Sequence, residues 1–413
     1  MLRRICVVVF CAVATTRSPF AQEHAHVPSH DQTIKGWILT SGANVFFGYN
    51  YQHRKFTDFS AWESQNWFML TAEHPVGAGR LMLHGMASVE PFTLRALGSP
   101  QVFQTGETYK SAPLIDYQHP HDLIMGLGAT YRIESGALAY SFGADAVGSP
   151  ALGPTAFMHR ESGRNNPQAP LSHHYLDSTH ITPGVLRAGV AVKGLSLETS
   201  VFRGEEPDEN RLNIDRPRLN SYSGRIRLRR GPWDAQVSAA HLHEPESYDP
   251  YDIRRTTVSI GFSGTVRSRP LSATVAWGHN REIHGNLDGY LLEWDWQATP
   301  DGAVYGRAEV VDKDILTLGS LHPRGFIHFH QISRVAALTI GYVRDVSSTG
   351  WGRVGVGGDA TVYRLSDDLL LPYGSPQSFH LFLRWRPGGG GPPHLSMRPA
   401  DSVRGSRTRA ILP

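Results

Sequence analysis

The chain has 413 residues, with 40 Lys and Arg against 37 Asp and Glu, 21 His, two Cys and 40% apolar side chains. Near-balanced charge argues against a nucleic-acid partner. Beyond the N-terminus no apolar run approaches the roughly 20 residues that a membrane helix needs.

The first expected element is a signal peptide over residues 1–21. Arg3 and Arg4 precede the apolar run Ile5–Ala14, followed by small residues, a break at Ser18-Pro19 and Ala21. Its removal takes Arg3, Arg4, Arg17 and both cysteines, Cys6 and Cys11, leaving 37 basic and 37 acidic side chains. A cysteine-free exported chain has no disulfide framework and no thiolate zinc site. Residues 22–36, with His24, His26 and His30, read as a flexible leader.

From there to Arg386 the pattern alternates with period two, in segments of about ten residues. Segments begin near Asn44, Asn66, Arg80, Leu123, Leu138, Thr182, Leu195, Tyr222, Trp233, Arg255, Leu271, Tyr290, Val304, Ser333, Arg353 and Phe379. Tyr222, Gly224, Ile226 and Leu228 face one way, and Ser223, Arg225, Arg227 and Arg229 the other. Tyr290, Leu292, Trp294 and Trp296 alternate with Leu291, Glu293, Asp295 and Gln297. Convincing helical periodicity is nearly absent. The expectation is an all-β, closed antiparallel transmembrane β-barrel of about sixteen strands (about 14–18), in the outer membrane of a Gram-negative bacterium.

Three features favour the barrel over a soluble sandwich or propeller. Tyr49, Tyr51, Trp233, Trp277, Tyr290, Trp296 and Trp385 stand at strand ends on the apolar face, as interfacial girdles do. Arg225, Arg227, Arg229, Glu293, Asp295, Arg307, Glu309 and Arg384 make the other face too charged for a dry core, so they are expected to line a lumen. Short turns such as "VKGLS" and "SRPLS" alternate with long connections. Opposed charge ladders of this kind select polar solutes by size and charge.

The long connections hold the candidate chemistry. Residues 90–122 end in "QHPHD", with His119, His121 and Asp122. Residues 148–179 carry His159, Arg160, His173, His174 and Asp177, with His180 just beyond. Structureless connections this long are functional or disordered, and their aromatics and paired charges predict ordered loops that partly fill or cap the lumen. His119, His121, Asp122, His159, His173, His174 and His180 form the candidate metal set, because imidazole suits zinc, copper and nickel. The competing reading is a network in which His, Arg and Asp satisfy one another. The third connection, 204–220, carries Glu205, Glu206, Asp208, Glu209 and Arg211, and reads as an ion-paired loop because it lacks the spaced acids and glycine of a calcium loop. Residues 387–413, rich in Gly, Pro and Arg, read as a disordered tail.

The runs "QHPHD", "PALGPTAFMHR", "SHHYLDSTHIT" and "FRGEEPDENR" resemble an uncharacterised family of Gram-negative outer-membrane β-barrel proteins, often encoded beside heavy-metal or copper-resistance systems. The likeness runs from about Trp37 to Arg386. It implies a barrel and a metal-stress context, and no established activity. Tyr117 and Gly126 depart from the Arg and the acid expected there.

The expected function is porin-like passage or binding of small polar solutes, with metal ions or complexes as the sharpest guess. A divalent or copper ion is the only cofactor candidate. Expected partners are outer-membrane lipid, those solutes, a second copy of the chain or a metal-efflux system. No G-x-S-x-G elbow and no H-E-x-x-H helix occurs. The alternatives are a hydrolase built on Ser172 beside His173 or Ser178 near His180, and a structural or adhesive barrel.

Overall fold

The computed structural model describes residues 30–316, 318–322, 325–328 and 331–387. The expected signal peptide, leader residues 22–29 and the tail beyond 387 lie outside the described residues. Sixteen antiparallel strands close into a barrel. In chain order they are Trp37–Arg54, Thr57–Glu63 continued by Asn66–Val76, Gly79–Ala87, Ile124–Ser135, Leu138–Gly148, Thr182–Val192, Leu195–Phe202 and Ser221–Arg230. The remainder are Trp233–Leu242, Ile253–Val266, Arg269–Arg281, Asn286–Trp296, Gly302–Lys313, Ser333–Thr349, Gly352–Leu365 and Gln377–Arg386. Closure comes from Val45–His53 pairing with Gln377–Trp385. A short strand, His30–Ile34, pairs with Trp37–Ser41 on that same edge, so part of the stretch read as flexible leader is ordered.

The alternation in sequence is the alternation in space. Val275 is 57% exposed while its neighbours Thr274 and Ala276 are 8% and 3% exposed. Leu197, Ile226, Ile260, Leu292, Ile340 and Leu381 repeat this outward display on other strands. In water such a continuous apolar ring would drive association. In lipid it is the solvated surface. The ring is edged by packed aromatics, with Tyr49 against Trp62 at 5.5 Å, Tyr51 against Phe379 at 5.2 Å and Trp233 against Phe262 at 5.0 Å between ring centroids.

The long connections fill the lumen as ordered loops, as expected, and the wall residues expected to line water are covered by them. Segments 88–123 and 149–181 fold into the lumen, so Arg225, Arg227, Glu293, Asp295, Arg307, Glu309 and Arg384 are buried. Val102 and Phe103 of the first segment meet Leu171 and Tyr175 of the second. Together they pack with Val311 and Val335 of the wall and with Leu369 and Tyr373 of the short helix Asp367–Tyr373. Polar lumen faces and a dry apolar cluster therefore coexist, because the inserted chain brings both its own apolar residues and partners for the wall. Gly278 and Gly289 pair across neighbouring strands, and a β-carbon on either would collide with Tyr175. Their missing side chains let the turn His173–Leu176 press against the wall.

Val275→Arg places a cation on the lipid-facing ring. It lowers unfolding stability in bilayers by about 2–4 kcal/mol, measured by urea titration of the folded barrel, whereas a cost near zero would place Val275 away from the hydrocarbon.

Candidate functional site

Segment 149–181 is fastened to the wall by backbone and side-chain bonds in sequence. Ala151 N donates to Ser200 Oγ at 2.9 Å and Gly153 N to Ser238 Oγ at 2.8 Å. Gly153 O accepts from Arg225 at 3.2 Å, and Thr155 Oγ1 from Arg227 at 3.1 Å. Arg160 bridges Asp177 at 2.5 Å and Glu293 at 3.2 Å. Arg164 reaches Asp295 at 3.0 Å, and Asn165 bonds both Asp295 and Arg384. Arg307 donates to Glu293 at 2.7 Å and to Gln168 O at 2.8 Å. Glu309 accepts from Ser172 N at 3.0 Å and Ser172 Oγ at 2.7 Å.

The residues expected to line open water are therefore placed on the inner wall but paired. Arg225 also meets Glu198 at 2.5 Å, and Arg227 and Arg229 share Asp234 at 2.5 and 3.3 Å. Opposed ladders that would polarise an aqueous pore instead neutralise each other and the inserted segment.

Segment 88–123 is held in the same way. Asn50 Nδ2 donates to Pro100 O at 2.8 Å, and Gln52 Oε1 accepts from Val102 N at 3.1 Å. Glu90 Oε1 accepts from Asn66 N at 3.1 Å. The connection 203–220 closes over this segment. Glu209 accepts from Thr108 Oγ1, Lys110 N and Ser111 N at 2.8–2.9 Å. Arg211 pairs with Glu107 and, at 3.3 Å, with Asp122. Glu205 meets Arg218 at 3.1 Å, and Asp208 Oδ1 accepts from Asn210 N at 2.7 Å. In this loop Arg211 and Glu205 are ion-paired, whereas Glu209 and Asp208 bond hydroxyl and backbone groups and Glu206 faces His174.

The candidate metal residues divide into three groups. His121, His173 and His180 pack together, with ring centroids 5.5 Å apart for His121 and His180 and 5.2 Å for His173 and His180. His119 and His174 lie at the edge of this group. His119 Nε2 is 2.6 Å from Glu107, and His174 Nδ1 is 3.3 Å from Glu206 and 3.7 Å from Glu246. Asp122 serves Arg211, and His159 stands apart against Trp67 and Met86. Among the described residues no three His, Asp or Glu side chains surround one point as they stand. Beside the cluster a narrow cleft runs between the inserted segments and the wall, lined by Phe46, Trp67, Glu90, His119, His121 and Arg164 among others.

Burial sets the protonation of this region. It pushes His173 down to about 4 despite Asp177 beside it, and pushes His174 and His180 well below the usual imidazole range. Burial opposes a charge on Glu107, yet Arg211 and His119 hold its carboxyl at about 2. Burial, reinforced by the Glu107 charge, pushes the Glu206 carboxyl up to about 8.

The serines beside histidines are committed elsewhere, Ser172 to Glu309 and Ser178 Oγ to Arg255 at 3.0 Å. His241 and His243 share Asp252 at 3.3 and 2.9 Å at the rim. Sequence reading missed Glu90, Glu107 and Glu246. All three are lone acids in connections, and only the fold brings them to histidines.

No protein-family model matches the sequence, and no curated protein does. The fold is shared with the anion-selective porin from Comamonas acidovorans, with a TM-score of 0.52 at 11% identity over 85% of this chain and 99% of that chain. It is also shared with OmpF of Salmonella typhi, solved in complex with daunomycin, with a TM-score of 0.51 at 9% identity over 86% of this chain and 100% of that chain. These likenesses show the fold, a β-barrel of the kind found in outer-membrane porins.

The raised carboxyl of Glu206 makes the cap over the cluster pH-dependent. A folded-state value above the unfolded one contributes stability in full below about 4.5, and that contribution is lost as pH rises through about 8. Above that point Glu206 is charged among Glu107, Glu246, His119, His173, His174 and Arg255. Hydrogen exchange over 204–212, corrected for intrinsic rates, is faster at pH 9 than at pH 6 in the wild type. It is nearly equal at the two values in Glu206→Gln.

Proposed function

We propose that this chain is an outer-membrane barrel that binds small polar solutes and passes them through a restricted lumen. One observation carries the reading. The two inserted segments bury the inner wall, while a narrow cleft beside His119 and His121 stays open between them. A solute that enters meets amides, imidazoles, a carboxylate and a guanidinium beside Phe46 and Trp67, a mixed lining suited to a small polar molecule or a hydrated cation. Metal ions are the sharpest solute class, because neutral imidazoles concentrate where the segments meet. A hydrolase reading gains no support from Ser172 or Ser178, whose hydroxyls bond Glu309 and Arg255.

In planar bilayers the purified protein gives a small, steady conductance, well below that of an open sixteen-strand porin. Gly278→Leu, which drives a side chain into Tyr175, displaces the turn from the wall and raises that conductance several-fold. A wild type already as conductive as an open porin, or a variant with unchanged conductance and an intact barrel, contradicts the restricted lumen.

A further inference from the structure

The His121, His173 and His180 cluster has a feature that hydrogen bonding inside the protein does not explain. Each ring has its Nδ1 committed to oxygen. His121 Nδ1 lies 2.8 Å from Glu90 Oε2, whose oxygen also accepts the His121 backbone N–H at 2.9 Å. His173 Nδ1 lies 2.7 Å from Asp177 Oδ1, and His180 Nδ1 lies 2.9 Å from the Asp177 backbone oxygen. A carbonyl or an ionised carboxylate can only accept, so each Nδ1 carries a proton, and in the neutral ring the lone pair sits on Nε2. The Nε2 atoms of His121 and His180 are buried and have no hydrogen-bond partner. Both side chains are more than nine-tenths buried. An acceptor left dry costs about 1–3 kcal/mol, and here two such atoms belong to rings in contact.

We infer that His121 and His180, completed by His173, form a binding site for a late first-row divalent transition ion such as zinc. Neutral imidazoles whose far nitrogen donates to a carboxylate or carbonyl are the form in which histidine binds metal, because that second partner fixes the tautomer and raises ligand basicity. Ring centroids around one tetrahedral ion with metal–nitrogen bonds near 2.0–2.1 Å stand about 5.3 Å apart. The observed 5.5 and 5.2 Å match that value for the two pairs that include His180, while the three rings do not surround one point as they stand. His180 lies between the other two rings, so His121 and His180 are the preformed pair and His173 is the ligand that closes on the ion. Phe157 packs on all three rings at 6.1, 5.3 and 6.2 Å, walling the site with an apolar face. His121 also lines the cleft, which leaves the remaining coordination position to water or solute. Imidazole nitrogens favour such an ion over calcium or magnesium, which require oxygen. The site takes its biological meaning from the small-solute reading above, but binding is measured where conductance plays no part.

The test uses the full chain, metal-stripped in detergent micelles and titrated with Co²⁺ by visible absorption and with Zn²⁺ by calorimetry. The wild type takes up one equivalent with a tetrahedral cobalt spectrum, and X-ray absorption shows imidazole nitrogens around the ion. His121→Ala/His180→Ala weakens binding by more than 100-fold, and Glu90→Gln weakens it by about 10–100-fold, each with the wild-type heat-dependent gel mobility that reports a folded barrel. The rim variant His241→Ala/His243→Ala binds as the wild type does. Equal affinity in wild type and His121→Ala/His180→Ala, or a shell of carboxylate oxygens alone around cobalt in the wild type, overturns the site. The second outcome needs no variant to fold.

Discussion

The constraint on which the rest depends is that lipid offers the backbone no hydrogen-bond partners. Each unpaired amide group there costs several kcal/mol, so the sheet has no tolerable edge and must close, as Val45–His53 does against Gln377–Trp385. Closure has a second consequence. Every other residue is turned inward, and those inward residues are arginines, acids and serines that also need partners. An aqueous pore would satisfy them with water. Here segment 149–181 does so with Arg160, Arg164, Asn165 and its own backbone amides. The strength of this arrangement lies in its ion pairs, since removing one member of a buried pair leaves the other uncompensated at a cost of about 3–5 kcal/mol. Glu293 shows the logic in a single side chain. It accepts from Arg160 and Ser162 of the inserted segment and from Arg307 of the neighbouring strand.

The wall was legible because a strand writes its environment at period two. Tyr290 to Trp296 name their faces directly, since an apolar residue at every second position has only lipid to face once Glu293 and Asp295 lie between. Strand starts were legible for the same reason, as at Asn66, Leu138, Thr182, Leu195, Trp233 and Ser333. The first strand was not. It begins at Trp37, because "WILTSGA" mixes polar and apolar residues on both faces and pairs with an extra short strand. Thr57–Glu63 was invisible as well, being cut from its continuation by Ser64 and Gln65.

The interior was legible only as a list of ingredients. The sequence supplies Arg225 and Glu293 to the inner face, but not the knowledge that Gly153 and Arg160 will meet them across 72 and 133 positions. Nothing local announces that Gly278 and Gly289 form a seat for Tyr175, because a glycine in a strand reads equally well as a bulge. The histidines show the same limit. Spacing groups His119 with His121, yet the contact that matters chemically is between His121 and His180, 59 residues on. Their tautomers are fixed by Glu90 and Asp177, one of them 31 positions away from its histidine.

The central claim, that residues 149–181 are seated on the inner wall of the barrel, is tested most directly by a cross-link. Ser162 Oγ and Thr274 Oγ1 lie 2.7 Å apart, one on the inserted segment and one on the strand Arg269–Arg281. In a chain with Cys6 and Cys11 replaced, Ser162→Cys/Thr274→Cys forms a disulfide under mild oxidation while the barrel stays folded. A pair that remains as two free thiols, with Ser162→Cys freely labelled by an impermeant maleimide, would show that the segment lies outside the lumen.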